Sequence, residues 1–175
     1  MSKQSQLRDY QTSILARLEN AKKAGAESSA GYLGVVIGSK NVLVSLREIS
    51  ETLPVADIHP VPIVKPWFLG VANVRGVLYA INDLAQLLES TFTNISSNTR
   101  LLLISETAVT NVAFVVEKMI GLRNINDMKP HEVKAEEDSV CLKAQTYQDD
   151  ENRIWHMLDC DKLVRSKEFA TPYVV

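Results

Sequence analysis

The chain has 175 residues, 46% of them apolar, with 19 basic and 21 acidic side chains and a formal net charge of -2; this suits one domain or two tightly joined subdomains rather than a disordered chain. No basic surplus exists to neutralise phosphates, which argues against nucleic acid as a partner. The longest apolar runs are about six residues, far below the roughly 20 a membrane-spanning helix needs, and the start MSKQSQLRDY lacks the apolar core of a signal peptide, so the expectation is a cytoplasmic chain without direct membrane insertion.

In chain order, residues 5–23 place Leu7, Tyr10, Ile14, Leu15 and Leu18 on one helical face and polar residues on the other, the pattern of an amphipathic helix. Ala24 to Gly31 is small and polar, a linker. From Tyr32 the pattern changes to short strand-like runs: Tyr32–Ile37, Asn41–Leu46, Val71–Val74, Val77–Ile81, Arg100–Ser105, Val112–Glu117, Val140–Tyr147 and Ile154–Leu158. Residues 38–41 and 149–152 have the composition of hairpin turns. Residues 51–66, with Pro54, Pro60, Pro62 and Pro66, read as an irregular crossing. Trp67-Phe68-Leu69 reads as buried, since large aromatic residues in a small barrel usually fill it. Many short strands with few helices indicate an all-β barrel or sandwich.

The segment GVANVRGVLYAINDLAQLL, from Gly70 to Leu88, is the most specific. It reads as a strand, a turn at Arg75-Gly76, a second strand, and a short helix opened by Asp83 with Leu84, Leu87 and Leu88 on one face. A lone arginine thus stands at a hairpin tip, beside a glycine that frees the backbone. That is a recognition arrangement, because nothing next to it resembles a nucleophile or a base. Ile81-Asn82-Asp83-Leu84 with Leu87 and Leu88 is echoed at constant offset by Met157-Leu158-Asp159-Cys160 with Leu163 and Val164, which predicts two similar modules, each with an aspartate capping a short helix after a strand. Thr91–Thr99 is the loop between them.

Catalytic constellations are not indicated. His59, His131 and His156 are far apart and lie in no metal-ligand spacing. No serine has a G-x-S-x-G context, and the seven glycines form no phosphate-binding loop. No metal and no cofactor is therefore expected. Cys141 and Cys160 are too few for a disulfide framework and read as buried apolar side chains.

The pattern Gly70, Asn73-x-Arg75-Gly76, strand, Asp83 and Leu-rich helix closely resembles the signature of CheW-like coupling proteins, over about Tyr32 to Val164. Trp67, the wording Gly-Val-Ala-Asn-Val-Arg-Gly and the extra N-terminal helix are most similar to members of that family serving the chemosensory system of type IV pili. The resemblance implies two small five-stranded β-barrel-like subdomains packed together, with short helices after strands. On this reading 1–30 is helix and linker, 31–166 the CheW-like domain with halves at about 31–92 and 93–166, and 167–175 a tail.

The resemblance also implies a non-enzymatic adaptor that joins the cytoplasmic tip of methyl-accepting chemotaxis receptors to the regulatory domain of a CheA-type histidine kinase, at arrays on the inner face of the cytoplasmic membrane. Pairing with other CheW-like modules is a further implied contact. The output would be type IV pili and twitching motility; a flagellar chemotaxis adaptor, a CheV-like adaptor or a detached kinase piece uses the same module. From another class, a small-ligand-binding barrel or an unrecognised hydrolase would need a pocket of convergent polar groups, to which no spacing points. Glu48, after the second strand, stands where the family carries an acid near the turn arginine, so a Glu48–Arg75 ion pair is implied. Leu46, Glu48, Gly70, Asn73, Arg75 and Gly76 are the implied partner-binding residues.

Overall fold

The computed structural model describes residues 31–55, 57–106, 109–132 and 141–174. The helix expected over 5–23 and the linker as far as Ala30 lie outside them, while Gly31, read as the end of the linker, opens the first strand. The described strands are β1 (Gly31–Ile37), β2 (Lys40–Ser45), β3 (Ile49–Pro54), β4 (Phe68–Val74), β5 (Val77–Asp83), β6 (Arg100–Ile104), β7 (Val112–Val116), β8 (Lys118–Asn124), β9 (Lys129–His131), β10 (Leu142–Gln148) and β11 (Ile154–Leu158). Among the described residues three short α-helices accompany them, α1 (Leu84–Glu89) after β5, then α2 (Cys160–Arg165) and α3 (Lys167–Ala170) after β11, and one 3-10 turn, Ile125–Asp127, follows β8.

The strands form two sheets, ordered β8-β1-β2-β11-β10-β9 and β3-β6-β7-β5-β4. Most neighbours are antiparallel, but β5 runs parallel to β7 and β11 parallel to β2. The protein is thus mainly β with two packed sheets, as the sequence indicates. The sheets do not follow the expected division near residue 92, however. Each takes strands from both sides of it, because β2 passes into β3 through Leu46-Arg47-Glu48 and β7 into β8 through Glu117 alone. β2 and β3 lie in different sheets, as do β7 and β8, so each of these links carries the chain from one sheet to the other. Glu117 makes the step with its N–H on the Val36 carbonyl, at 3.0 Å.

Three strands fall outside the sequence-based reading. β3 carries Ser50, Glu51 and Thr52 and ends on Pro54, so it lacks the β-branched run that marks a strand. Gly121 interrupts β8 at φ 127°, beside a register shift against β1. β9 is a three-residue edge that makes one sheet six-stranded.

Burial follows the exchange of strands. The largest cluster lies between the sheets, with Val35, Val42 and Val44 from one and Ile104, Phe114 and Val116 from the other, plus Leu84, Cys160 and Leu163 from the helices. A smaller core fills the five-stranded sheet (Ala72, Val74, Ile81, Leu101, Leu103, Ala113, Val115) and another the six-stranded sheet (Leu43, Met128, Trp155, Met157). Trp67 is buried and stacks on Phe169 at 5.3 Å. Both cysteines are buried, and they form no disulfide with each other.

The repeated Asp-helix module is present in both places. Asp83 accepts from the amides of Ala85 and Gln86, and its carboxylate also takes the Thr93 N–H and hydroxyl, each at 2.8 Å. Asp159 caps α2 through the Lys162 amide alone, at 2.9 Å. Capping supplies an acceptor to first-turn amides that have no partner within the helix. The Thr93 contacts additionally pin the start of the 91–99 loop.

Candidate functional site

The β4–β5 hairpin closes on a two-residue turn. Val74 faces Val77, while Arg75 and Gly76 both take left-handed backbone, at φ 52° and 88°. Positive φ at both central positions is the hairpin turn whose twist matches its strands, and it favours Asn or Gly. Arginine at the first position is thus a strained choice that the surroundings hold in place. One hold is Asn73, whose side-chain oxygen accepts from the Gly76 amide at 2.8 Å.

The second hold is an ion pair, and its partner is Glu51. Arg75 Nη1 and Nη2 meet Glu51 Oε2 and Oε1 at 3.0 and 2.7 Å, a bidentate contact. The expected Glu48–Arg75 pair is therefore corrected. Glu48 lies on the crossover between the sheets, where its carboxylate turns to the Cys160 thiol on α2, near Lys143 and Asp159. Burial pushes the Glu48 carboxyl above its ordinary value, and the thiol contact and Lys143 offset this only in part. Burial, and then the Glu48 charge, likewise push the Cys160 thiol far up, so it is an inert neutral thiol. Glu51 carries no sequence signal because its strand, Ile49–Pro54, lacks the apolar β-branched run that marks one. Once β3 is drawn, Glu51 and Leu53 share the face opposite Leu103 and Leu101, toward the small core.

β3 and β4 are the two edges of the five-stranded sheet. A side chain on one meets the tip of the hairpin that carries the other, so the sheet is curled and the ion pair spans its seam. The Arg75 side chain is 72% exposed and that of Glu51 27%. Two guanidinium N–H groups serve Glu51, and the rest of the fork faces solvent. Val77 and Leu78 stand exposed beside it.

The other expected site residues are placed differently. Gly70, near the far end of β4, is buried at φ 139°, and a Cβ there would sit 2.2 Å from the His59 carbonyl oxygen. Leu46 is half-buried, packs against the central core and donates its amide to the Gly31 carbonyl at 3.2 Å. The structure thus gathers Asn73, Arg75 and Gly76 at one tip and leaves Gly70, Leu46 and Glu48 in structural positions.

His131 and His156 flank Thr146 in register across three strands, which sets them two strand spacings, roughly 10 Å, apart. No group of three or more His, Cys, Asp or Glu among the described residues could hold a metal ion. No described helix is long and apolar enough to cross a membrane.

Residues 31–168 match the CheW-like domain family. Among solved structures, the chain is similar to the scaffolding protein TtCheW from Thermoanaerobacter tengcongensis, with a TM-score of 0.67 over 81% of this chain and 96% of that one. At 12% identity this likeness shows a shared fold. No curated protein matches the chain.

Proposed function

The chain belongs to the CheW-like domain family, non-enzymatic scaffolding adaptors of chemotaxis, and we propose that it joins the cytoplasmic tip of methyl-accepting receptors to the regulatory domain of a CheA-type histidine kinase. The observation that carries this reading is the Arg75 tip, where a bidentate contact to Glu51 fixes a guanidinium that stays 72% exposed. A fixed arginine loses little rotamer freedom on binding and offers directed donors to a carboxylate. Its neighbours Val77 and Leu78 add exposed apolar contact.

In this proposal the Arg75 hairpin faces the receptor and a separate face meets the kinase, so that receptor signals reach the kinase as altered geometry. Asn73 and Gly76 act by shaping the turn, and Leu46, Glu48 and Gly70 by holding the scaffold beneath it. The chain works in the cytoplasm, at arrays on the inner face of the membrane. Gly-Val-Ala-Asn-Val-Arg-Gly and Trp67 favour the pilus branch typified by PilI, with twitching motility as the output.

Copurification with the tagged, full-length chain tests both levels. Recovery of a methyl-accepting receptor and a CheA-type kinase together, and loss of twitching but not swimming on deletion, are the expected results. Recovery of neither protein overturns the adaptor reading, and loss of swimming with intact twitching overturns the pilus assignment.

A further inference from the structure

Leu122 on β8 lies directly across from Leu33 on β1, and residues paired in this way project to the same face of a sheet. Leu33 is 2% exposed, within the core between the sheets, yet Leu122 is 42% exposed. The five-stranded sheet therefore covers the middle strands of the six-stranded sheet and stops short of its β8 edge. The two sheets meet at Glu117, where the chain crosses into β8 and the Glu117 amide bonds the Val36 carbonyl. Further along β8 they part, and the face that is core at Leu33 opens to solvent at Leu122.

Other apolar side chains border the same opening. Met119 faces Val35 and is half-buried against the central core, as is Leu46. The Leu46 side chain folds over the first residue of β1: a Cβ on Gly31 would sit 2.9 Å from Leu46 Cδ1, and the Leu46 amide donates to the Gly31 carbonyl. Leu46, Met119 and Leu122 thus form an apolar strip continuous with the core, on rigid strands, and such a strip marks a place where something docks.

Gly31 is also where residues 1–30 join the sheet. Leu122 is one strand over and two residues along from Gly31, roughly 8 Å away. Residues 24–30 can span up to about 25 Å, enough to lay residues 5–23 across the strip. As a helix that segment would be about 28 Å long, with Leu7, Tyr10, Ile14, Leu15 and Leu18 as an apolar stripe that needs cover. Two incomplete apolar surfaces therefore stand at the two ends of one short tether.

We infer that residues 5–23 dock on their own chain as an amphipathic helix, with the apolar stripe seated on Leu46, Met119 and Leu122, closing the open side of the central core. Tethering favours this occupant over a second molecule. A short linker holds the segment at an effective concentration on the order of mM, which a partner in trans at micromolar levels does not match. The placement leaves the Arg75 tip free and does not depend on what that tip binds.

The rate at which maleimide labels Leu122→Cys in the full chain tests this, measured with the stripe intact and with Ile14→Asp and Leu18→Asp together. Cys141 and Cys160 are buried, and Ile95→Cys, an exposed position beyond the far end of β3, serves as control. The expected result is labelling at Leu122→Cys at least about tenfold slower with the stripe intact, as for a site covered about nine-tenths of the time, at every protein concentration, while Ile95→Cys reacts alike in both backgrounds. Equal rates at Leu122→Cys overturn the inference. So does protection that disappears on dilution, which assigns the cover to a second copy, or acceleration shared by Ile95→Cys, which marks general loosening of the fold.

Discussion

Reversing Arg75 to glutamate separates recognition from support. The pair it breaks is largely solvent-facing, 72% exposed on one side and 27% on the other, so its loss costs about 0.2–1 kcal/mol and like-charge repulsion with Glu51 adds a similar amount. A total of about 0.5–2 kcal/mol is small beside the roughly 5–15 kcal/mol of a typical domain and lowers the melting temperature by about 2–8 °C. As an interface anchor, the same arginine is worth about 2 kcal/mol or more, a loss of about 30-fold or more in affinity. Titrating a purified receptor cytoplasmic fragment against wild type and Arg75→Glu, beside thermal melts, reads both quantities. Binding that falls only as far as the unfolded fraction rises refutes the recognition role. A double-mutant cycle of Arg75→Ala with Glu51→Ala should show coupling of about 0.2–1 kcal/mol, and the cycle with Glu48→Ala about none; the reverse would restore the Glu48 pair.

Other consequences follow from the same geometry. Gly70→Ala forces a Cβ against the His59 carbonyl at a φ only glycine adopts readily, so urea unfolding should show a loss of about 3–5 kcal/mol. Asp83→Ala removes a cap and orphans Thr93, costing about 3 kcal/mol, whereas Asp159→Ala, with one bond to lose, costs about 1 kcal/mol; equal losses would show that the Thr93 tie contributes nothing. Glu48 has a carboxyl raised mainly by burial, and a raised carboxyl contributes stability that is present in acid and lost as pH rises through its folded value. Glu48→Gln should therefore melt above wild type at neutral pH, with the advantage vanishing in acid, and a variant that melts lower at neutral pH contradicts this. Deleting residues 1–28 should lower the melting temperature and expose apolar surface to a dye, since the stripe Leu7, Tyr10, Ile14 and Leu18 forfeits roughly 1.5–3 kcal/mol per large side chain if left in water; an unchanged melt with weaker kinase binding assigns the stripe to the kinase instead.

Most strands were legible because one face of each is packed, so alternation and β-branched runs print burial onto the sequence. The paired Asp-helix modules were legible for a similar reason: a cap needs a short acceptor at one fixed place. β3 was hidden because an edge strand tolerates Ser50, Glu51, Thr52 and Pro54, and with it went Glu51, the acid that holds Arg75. The exchange of strands between sheets was hidden for another reason. It depends on where Leu46-Arg47-Glu48 and Glu117 deliver the chain, a three-dimensional outcome with no residue signature. At the candidate site the turn Asn73-x-Arg75-Gly76 could be read directly, because its backbone geometry is dictated locally. Arg75's partner could not, since it is fixed by the curl of a whole sheet.

The most direct test of the adaptor account is autophosphorylation of the CheA-type kinase, reconstituted with receptor-bearing membranes and titrated with this chain. The account predicts a rise in kinase activity only when receptor, kinase and chain are all present, and its loss with folded Arg75→Glu protein. Full activity without the chain, or equal activation by wild type and Arg75→Glu, would contradict it.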